Sequence, residues 1–340
     1  MLIEPFRSAE AATRGAVLGR LWQVMTAGGA AAPDERHAET LRTIARHFLA
    51  APDAAPGDAA APLPPALHRP VAELALLVPL VDAVLDPRKV DEAARIGAAL
   101  GVALPQVAVL RDAAAGRLAR LRMRVAGPLM RQLAGISVPT ALLRVARTRL
   151  GFDRAHADRL RAAARLPDGT FGRELVRYYE HNPFELPGET GGMPPILVGQ
   201  HDFLHVLLGY DTSTEGELCV GGFVGGCGPV SRLEAVMTCV LQFNQGLPVQ
   251  EFTKDVVKRG ALRPETFFLA LARGAACRAD IADPAFDYMA LLDRDLAGLR
   301  AELGIGPEGM MVHEGQPRWS VPGDRDLLGG QKPRTRPIVA

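Results

Sequence analysis

"PPILVGQHDFLHVLLGYDTSTEGEL", residues 194–218, sets His201, Asp202 and His205 into a run that is otherwise apolar. Proline is tolerated in a first helical turn, so the pattern predicts a helix starting near Pro195. At about 100° per residue, His201 and His205 stand roughly 40° apart with Asp202 on their flank. Leu197, Phe203, Leu204, Val206, Leu207 and Tyr210 cover the other sides, and such a helix is expected to be buried. A buried carboxylate is costly unless it is neutralised, hydrogen-bonded or bound to a metal. Two imidazoles beside it answer that need as a metal site.

Eleven residues separate His205 from Glu217, and Gly209, Asp211, Thr212, Ser213 and Gly216 among them end one helix and start another. A second helix running back along the first aims Glu217 at the histidines. "TSTE" and "TEGE" both fit a Ser/Thr-x-x-Glu capping box, and a cap by Thr212 with Glu215 leaves Glu217 free as a ligand. The candidate ligands are therefore His201, Asp202, His205 and Glu217. A zinc-protease HExxH reading fails because the acid is Asp202, one methylene shorter than the base required. A metal-phosphohydrolase HD site would need His156 and His181 as further ligands.

The flanking sequence extends the helical pattern. Residues 8–26 and 35–50 carry apolar residues at helical spacing, and a proline-rich segment at about 51–66 reads as a linker or flexible loop. Helices continue over 71–150, with breaks expected at Pro87, Pro105, Pro128 and Pro139. Beyond them helices are expected over 154–165, 171–181, 194–210, 217–227, 230–246, 249–259, 264–278 and 284–304. No period-two alternation is present, so the chain reads as all-α, a multi-helix bundle. The expected organisation is a helical N-terminal region (1–150), a metal-binding helical domain (151–305) and an extended or disordered tail (306–340).

Composition narrows the function. A net charge of +1 over 340 residues gives no basic field for nucleic acid. Cys219, Cys227, Cys239 and Cys277 lack CxxC spacing and read as unbridged thiols, and the first 22 residues lack the apolar core of a signal peptide. No apolar run reaches the length of about 20 residues that a membrane span needs. Arg117, Arg120, Arg122, Arg124 and Arg131 form either a solvated helix face or one that lies on an anionic membrane. In "CVGGFVGGCGP", 219–229, each helical glycine costs up to about 1 kcal/mol against alanine. Gly221, Gly222, Gly225 and Gly226 thus serve either close helix packing or a groove that admits an isoprenoid tail.

The pattern His201-Asp202-x-x-His205, eleven residues, Glu217 is similar to the metal motif of the ubiquinone (coenzyme Q) biosynthesis family called Coq-four. "LPDGTFGRELVRYYEHN" at 166–182 and "FNQGLPV" at 243–249 resemble the segments on either side of that motif, so the likeness covers roughly 151–260. It implies an all-helical fold, a divalent metal assigned as zinc, a prenylated aromatic quinone precursor as substrate, and contact with membranes or other quinone-biosynthesis proteins. The implied reaction is metal-dependent decarboxylation of a prenylated hydroxybenzoate, with or without oxidation at the same ring carbon; from the site itself, Asp202 or Glu217 is expected to move the proton. Two imidazoles and a carboxylate also suit iron(II), the easier metal to justify if oxygen is consumed. The alternative is a non-catalytic lipid-binding scaffold around a structural metal. A homo-oligomer is expected, cytoplasmic or peripheral on the inner face of the cell membrane.

Overall fold

Short polar caps and left-handed glycines divide this Ala- and Leu-rich chain into helices. The computed structural model describes residues 4–182, 184–249, 259–312 and 338. Among them are fifteen α-helices and no strand: α1 Glu4–Arg7, α2 Ala11–Met25, α3 Glu35–His47, α4 Pro65–Leu77, α5 Pro87–Ala99, α6 Val107–Ala114, α7 Leu118–Ala134, α8 Val138–Arg149, α9 Arg154–Ala162, α10 Phe171–His181, α11 Pro195–Leu208, α12 Thr214–Gly226, α13 Leu233–Phe243, α14 Pro264–Ala276 and α15 Leu296–Leu303. The fold is all-α. Asp34, Asp86, Ser137, Thr170, Ser213 and Asp295 each accept a backbone N–H at a helix start. None of the described helices is long and apolar enough to cross a membrane.

Several boundaries differ from the sequence expectation; the helix expected over 230–246, for one, spans Leu233–Phe243. Pro128 does not interrupt α7, although it leaves the Arg124 carbonyl without its intrahelical donor. The preceding residue is Gly127, which has no Cβ to collide with the proline ring. The helix expected over 284–304 shrinks to α15, preceded by a 3₁₀ turn at Tyr288–Leu291. The backbone between them is engaged elsewhere: Phe171 and Gly172 donate to the carbonyls of Arg294 and Leu292, and Leu296 donates to Gly169. Finally, α12 starts at Thr214, three residues before the expected 217.

Other expectations fall on segments described only in part. The helix expected over 249–259 lies, apart from its two ends, outside the described residues. Of the expected tail, residues 306–312 are described, and they dock on the end of α11, with Met311 and Val312 both donating to the Gly209 carbonyl. The proline-rich segment is non-helical as expected, and it is packed on α2. Gly57 N donates to Gly15 O at 2.8 Å, and a Cβ on Gly19 would stand 2.3 Å from the Gly57 carbonyl.

Two apolar clusters make the core. The first joins α2–α6 and the start of α7 (Leu121, Val125) to one side of α12–α14, through Leu218, Val236, Val240, Phe268 and Leu271. Phe268 meets Phe48 edge-on at 6.5 Å. The second gathers α9, α10, α11 and α15 against the other side of α12, through Cys219, Val220 and Phe223. Helix α12 thus belongs to both.

The glycines of α12 explain how it fits. Cβ atoms on Gly221 and Gly225 would lie 2.5 Å from Cys239 Sγ and 2.1 Å from Val236 Cγ2 of α13. Those on Gly222 and Gly226 would lie 2.9 Å from Phe267 O and 2.0 Å from Leu271 O of α14. The groove reading of Gly221, Gly222, Gly225 and Gly226 is therefore corrected: neighbouring helices fill the space that an isoprenoid tail would need. Close packing repays the helix propensity these positions lose.

Candidate metal centre

Three helices bring the polar cluster together. Helix α11 runs Pro195–Leu208 with proline in its first turn, as the sequence predicts, and places His201 and His205 one turn apart. Gly209 ends it at φ 72°, a conformation natural to glycine, and turns the chain so that the Tyr210 carbonyl comes back to His205. Ser213, not Thr212, caps α12, accepting from Gly216 N at 3.0 Å, so neither proposed capping box forms. Asp211 accepts from both the N–H and the hydroxyl of Ser213. Thr212 instead donates to Asn182, whose amide donates to the Tyr178 carbonyl, tying the start of α12 to the end of α10. Glu217 stays clear of the cap and faces α11.

His201, His205 and Glu217 each offer a ligand atom within 4.8 Å of the others, the one such group among the described residues. Glu217 Oε2 lies 3.1 Å from His201 Nε2, and its Oε1 lies 3.4 Å from His205 Nε2. The other ring nitrogens are anchored. His205 Nδ1 meets the Tyr210 carbonyl at 3.2 Å, and His201 Nδ1 meets Asp202 Oδ1 at 3.2 Å. An Nδ1–H that donates to oxygen leaves Nε2 with its lone pair pointing at Glu217, the tautomer of a metal-ligating histidine. His205 is fully buried, and its Nε2 has no hydrogen-bond partner. A buried imidazole nitrogen left so is what a cation would satisfy.

Asp202 stands outside that group of three. Its Oδ2 accepts from Tyr179 Oη at 2.7 Å and its Oδ1 faces His201. It holds the ring of a candidate ligand while Tyr179 holds it. Tyr178, fully buried, stacks on His205 with ring centres 5.6 Å apart. Burial and the charge of Asp202 push both tyrosines well above their usual pKa, so they remain donors.

The electrostatics favour a positive charge at this point. Burial disfavours the charged form of Glu217, yet the neighbouring His201 and His205 outweigh it and hold its carboxyl far below the usual range. Burial likewise lowers His201, but Glu217 and Asp202 overcome it and raise the imidazole to about 10. The His201 side chain is 43% exposed, whereas that of His205 is 0% exposed. One side of the cluster faces outward.

Neither His156 nor His181 joins the cluster. His156 pairs with the Tyr288 hydroxyl at 3.1 Å and His181 Nδ1 with the Arg177 carbonyl at 2.7 Å, which removes the phosphohydrolase reading. Reasoning from sequence missed Tyr178 and Tyr179. Their signal was present: Phe171, Leu175, Tyr178 and Tyr179 form the buried arc of α10, and a buried tyrosine hydroxyl needs a partner.

The arginines of α7 are largely engaged at home. Arg117, Arg120 and Arg124 surround the buried Asp112 at 3.6, 3.9 and 2.6 Å, and Arg122 donates to the Pro248 carbonyl.

No family model matches the chain. Over 159 residues, 42% of the chain, it is 31% identical to the ubiquinone biosynthesis protein COQ4 homolog, mitochondrial, of Xenopus tropicalis. The match takes in 49% of that protein, so the chain spans about half the length of the curated relative. A solved structure from Nostoc punctiforme, also named for ubiquinone biosynthesis, aligns with 59% of this chain and 96% of that one at 17% identity and a TM-score of 0.31. A score that low carries no argument about the fold.

Proposed function

We propose, on the premise that this chain belongs to the COQ4 family of ubiquinone biosynthesis proteins, that it acts in quinone biosynthesis through a divalent metal held by His201, His205 and Glu217. The observation that carries the metal reading is the buried Nε2 of His205, which makes no hydrogen bond and lies 3.4 Å from Glu217 Oε1, beside a second imidazole whose Nδ1 is anchored. Two nitrogens and one carboxylate oxygen fit zinc with an open position and equally fit iron(II). Asp202, placed among the ligands from sequence, is assigned here to the ring of His201.

The reaction we propose is decarboxylation of a prenylated hydroxybenzoate-type precursor. When bound, the metal supplies Lewis acidity toward an oxygen of the substrate ring or its carboxylate. The residues of the chain do the rest. Glu217 and the two imidazoles would hold the metal, and the exposed His201 marks the outward side from which a substrate would reach it. Tyr179 holds Asp202 at its Oδ2, and Asp202 keeps the proton on His201 Nδ1. Loss of CO₂ leaves an electron pair on the ring carbon, and a proton must reach it. We assign the relay of that proton, drawn from solvent, to Asp202, the carboxylate outside the ligand group.

The test is a lipid profile. Cells in which this chain is replaced by His201→Ala should accumulate the carboxylated precursor and lose quinone. His201 is partly exposed, so the variant should keep its fold. Normal quinone output from a folded variant that no longer binds metal would favour the scaffold reading instead.

A further inference from the structure

Helices α12 and α14 end side by side, and each ends on a cysteine. Cys227 is the C-cap of α12 and Cys277 that of α14, both with extended backbone (φ −72°, ψ 134° and φ −63°, ψ 132°). Glycines just before them allow the approach. A Cβ on Gly226 would lie 2.0 Å from the Leu271 carbonyl oxygen, and one on Gly274 would lie 2.1 Å from the Phe223 carbonyl oxygen and 3.0 Å from Cys227 N. The two backbones therefore touch. The Cys227 Sγ reaches the turn after α14, 3.5 Å from the Ala279 carbonyl and within hydrogen-bond reach of the Cys277 sulfur. Arg232, 4% exposed, holds both turns, with Nη1 on the Cys227 carbonyl at 2.6 Å and Nη2 on Asp280 at 2.9 Å.

The two sulfurs are not equivalent. Cys227 is fully buried, whereas Cys277 is partly exposed. The Cys227 thiol donates to Cys277, as do the backbone N–H groups of Ala279 and Arg278. Together they outweigh burial and lower the Cys277 pKa, while the same sulfur contact and burial raise that of Cys227. A partly exposed sulfur that accepts hydrogen bonds, beside a buried thiol, is the arrangement of an attacking and a resolving cysteine. Two thiols that served only as small apolar fillers would need no such pairing.

We infer that Cys277 and Cys227 form a reversible intramolecular disulfide, with a small-molecule disulfide as the oxidant. The Cys277 thiolate attacks one sulfur of a disulfide RSSR, forming a mixed disulfide and releasing RS⁻. Cys227 gives its proton to that RS⁻, and its sulfur attacks Cys277 Sγ, releasing the second RS⁻. The protein loses two electrons and the oxidant gains them. The bridge joins residues about 50 apart in sequence and pins the ends of α12 and α14 together, which stabilises the folded chain. It lies at the opposite end of α12 from Glu217 and does not depend on the metal.

Oxidised glutathione is the probe that tests it. The reduced full chain, incubated with it at neutral pH, alkylated and mapped by mass spectrometry, should yield a peptide linked through Cys227 and Cys277, with Cys219 and Cys239 alkylated. The oxidised chain should melt about 5 °C or more above the reduced one, and dithiothreitol should reverse the shift. In Cys227→Ser the reaction should stop with glutathione attached to Cys277. In Cys277→Ser, Cys227 should stay reduced. These readouts involve neither quinone nor metal, so they stand apart from the proposed reaction. No linked peptide in the wild type, or a bridge to Cys219 or Cys239 instead, would overturn the inference. So would an oxidised chain that melts no higher than the reduced one, or glutathione on Cys227 in Cys277→Ser.

Discussion

Tyr179 never touches the three candidate ligands, yet it governs how one of them stands. Its hydroxyl fixes Asp202, and Asp202 fixes Nδ1 of His201. Partners of this kind set ligand orientation and basicity, and their loss typically lowers metal affinity about 10–100-fold. Asp202→Asn should therefore weaken zinc binding by about that range, and Tyr179→Phe by the lower end of it, in competition with a chelating dye; unchanged affinity in both would place Asp202 outside the site's working parts. The protonation states give a second expectation. In the metal-free protein the raised His201 adds stability that is complete below its ordinary value of 6.5 and is lost as pH rises toward about 10. The depressed Glu217 adds stability that is present above its ordinary 4.5 and is lost on acidification. The difference in stability between wild type and Glu217→Gln should be largest between pH 4.5 and 6.5 and shrink on either side, as read from urea titrations across pH. A difference that does not vary with pH would contradict the pairing.

Helix α12 carries the candidate ligand Glu217 and packs on α13 and α14 through its glycines. Gly226 meets the backbone of α14 and Gly225 meets Val236, so added methyl groups have nowhere to go. Gly226→Ala should destabilise the protein by about 1–3 kcal/mol or more through overpacking. Gly15→Ala makes the contrast: it lies inside α2, its Cβ would approach nothing closer than 3.5 Å, and it should stabilise by up to about 1 kcal/mol. Thermal melts of the two variants should shift in opposite directions; shifts of the same sign would refute the packing account. At this scale the sequence was informative but incomplete. The bounds of α10 and the start of α11 were readable because Thr170 caps one and Pro195 opens the other. The glycine run left two readings standing, since a helix pattern does not say what lies opposite a small residue. The 284–304 pattern misled because its backbone serves the start of α10, a long-range use that periodicity does not record.

Across the whole molecule, α12–α14 tie two apolar clusters together. Residues far apart in sequence share the first, where Phe48 packs on Phe268. Which side chains converge at the candidate metal centre was readable from spacing for His201, His205 and Glu217, which lie on two consecutive helices, but not for Asp202, which the group leaves out. The contribution of α10 was not, since nothing local in "RYYEH" says which carboxylate Tyr179 meets. The shared core carries its own expectation. Phe268→Ala should cost about 3–5 kcal/mol and lower the unfolding midpoint reported both by α2–α6 and by α9–α11 in hydrogen exchange. Protection lost in only one of the two sets would show that they unfold independently.

The central claim is that His201, His205 and Glu217 close on a single cation. Anomalous diffraction at the zinc edge, from crystals of the full chain grown with zinc, tests it directly. The account predicts one strong peak within about 2 Å of both Nε2 atoms and a Glu217 oxygen, with Asp202 still on His201 Nδ1. Well-ordered side chains at all three positions with no anomalous signal between them would contradict it.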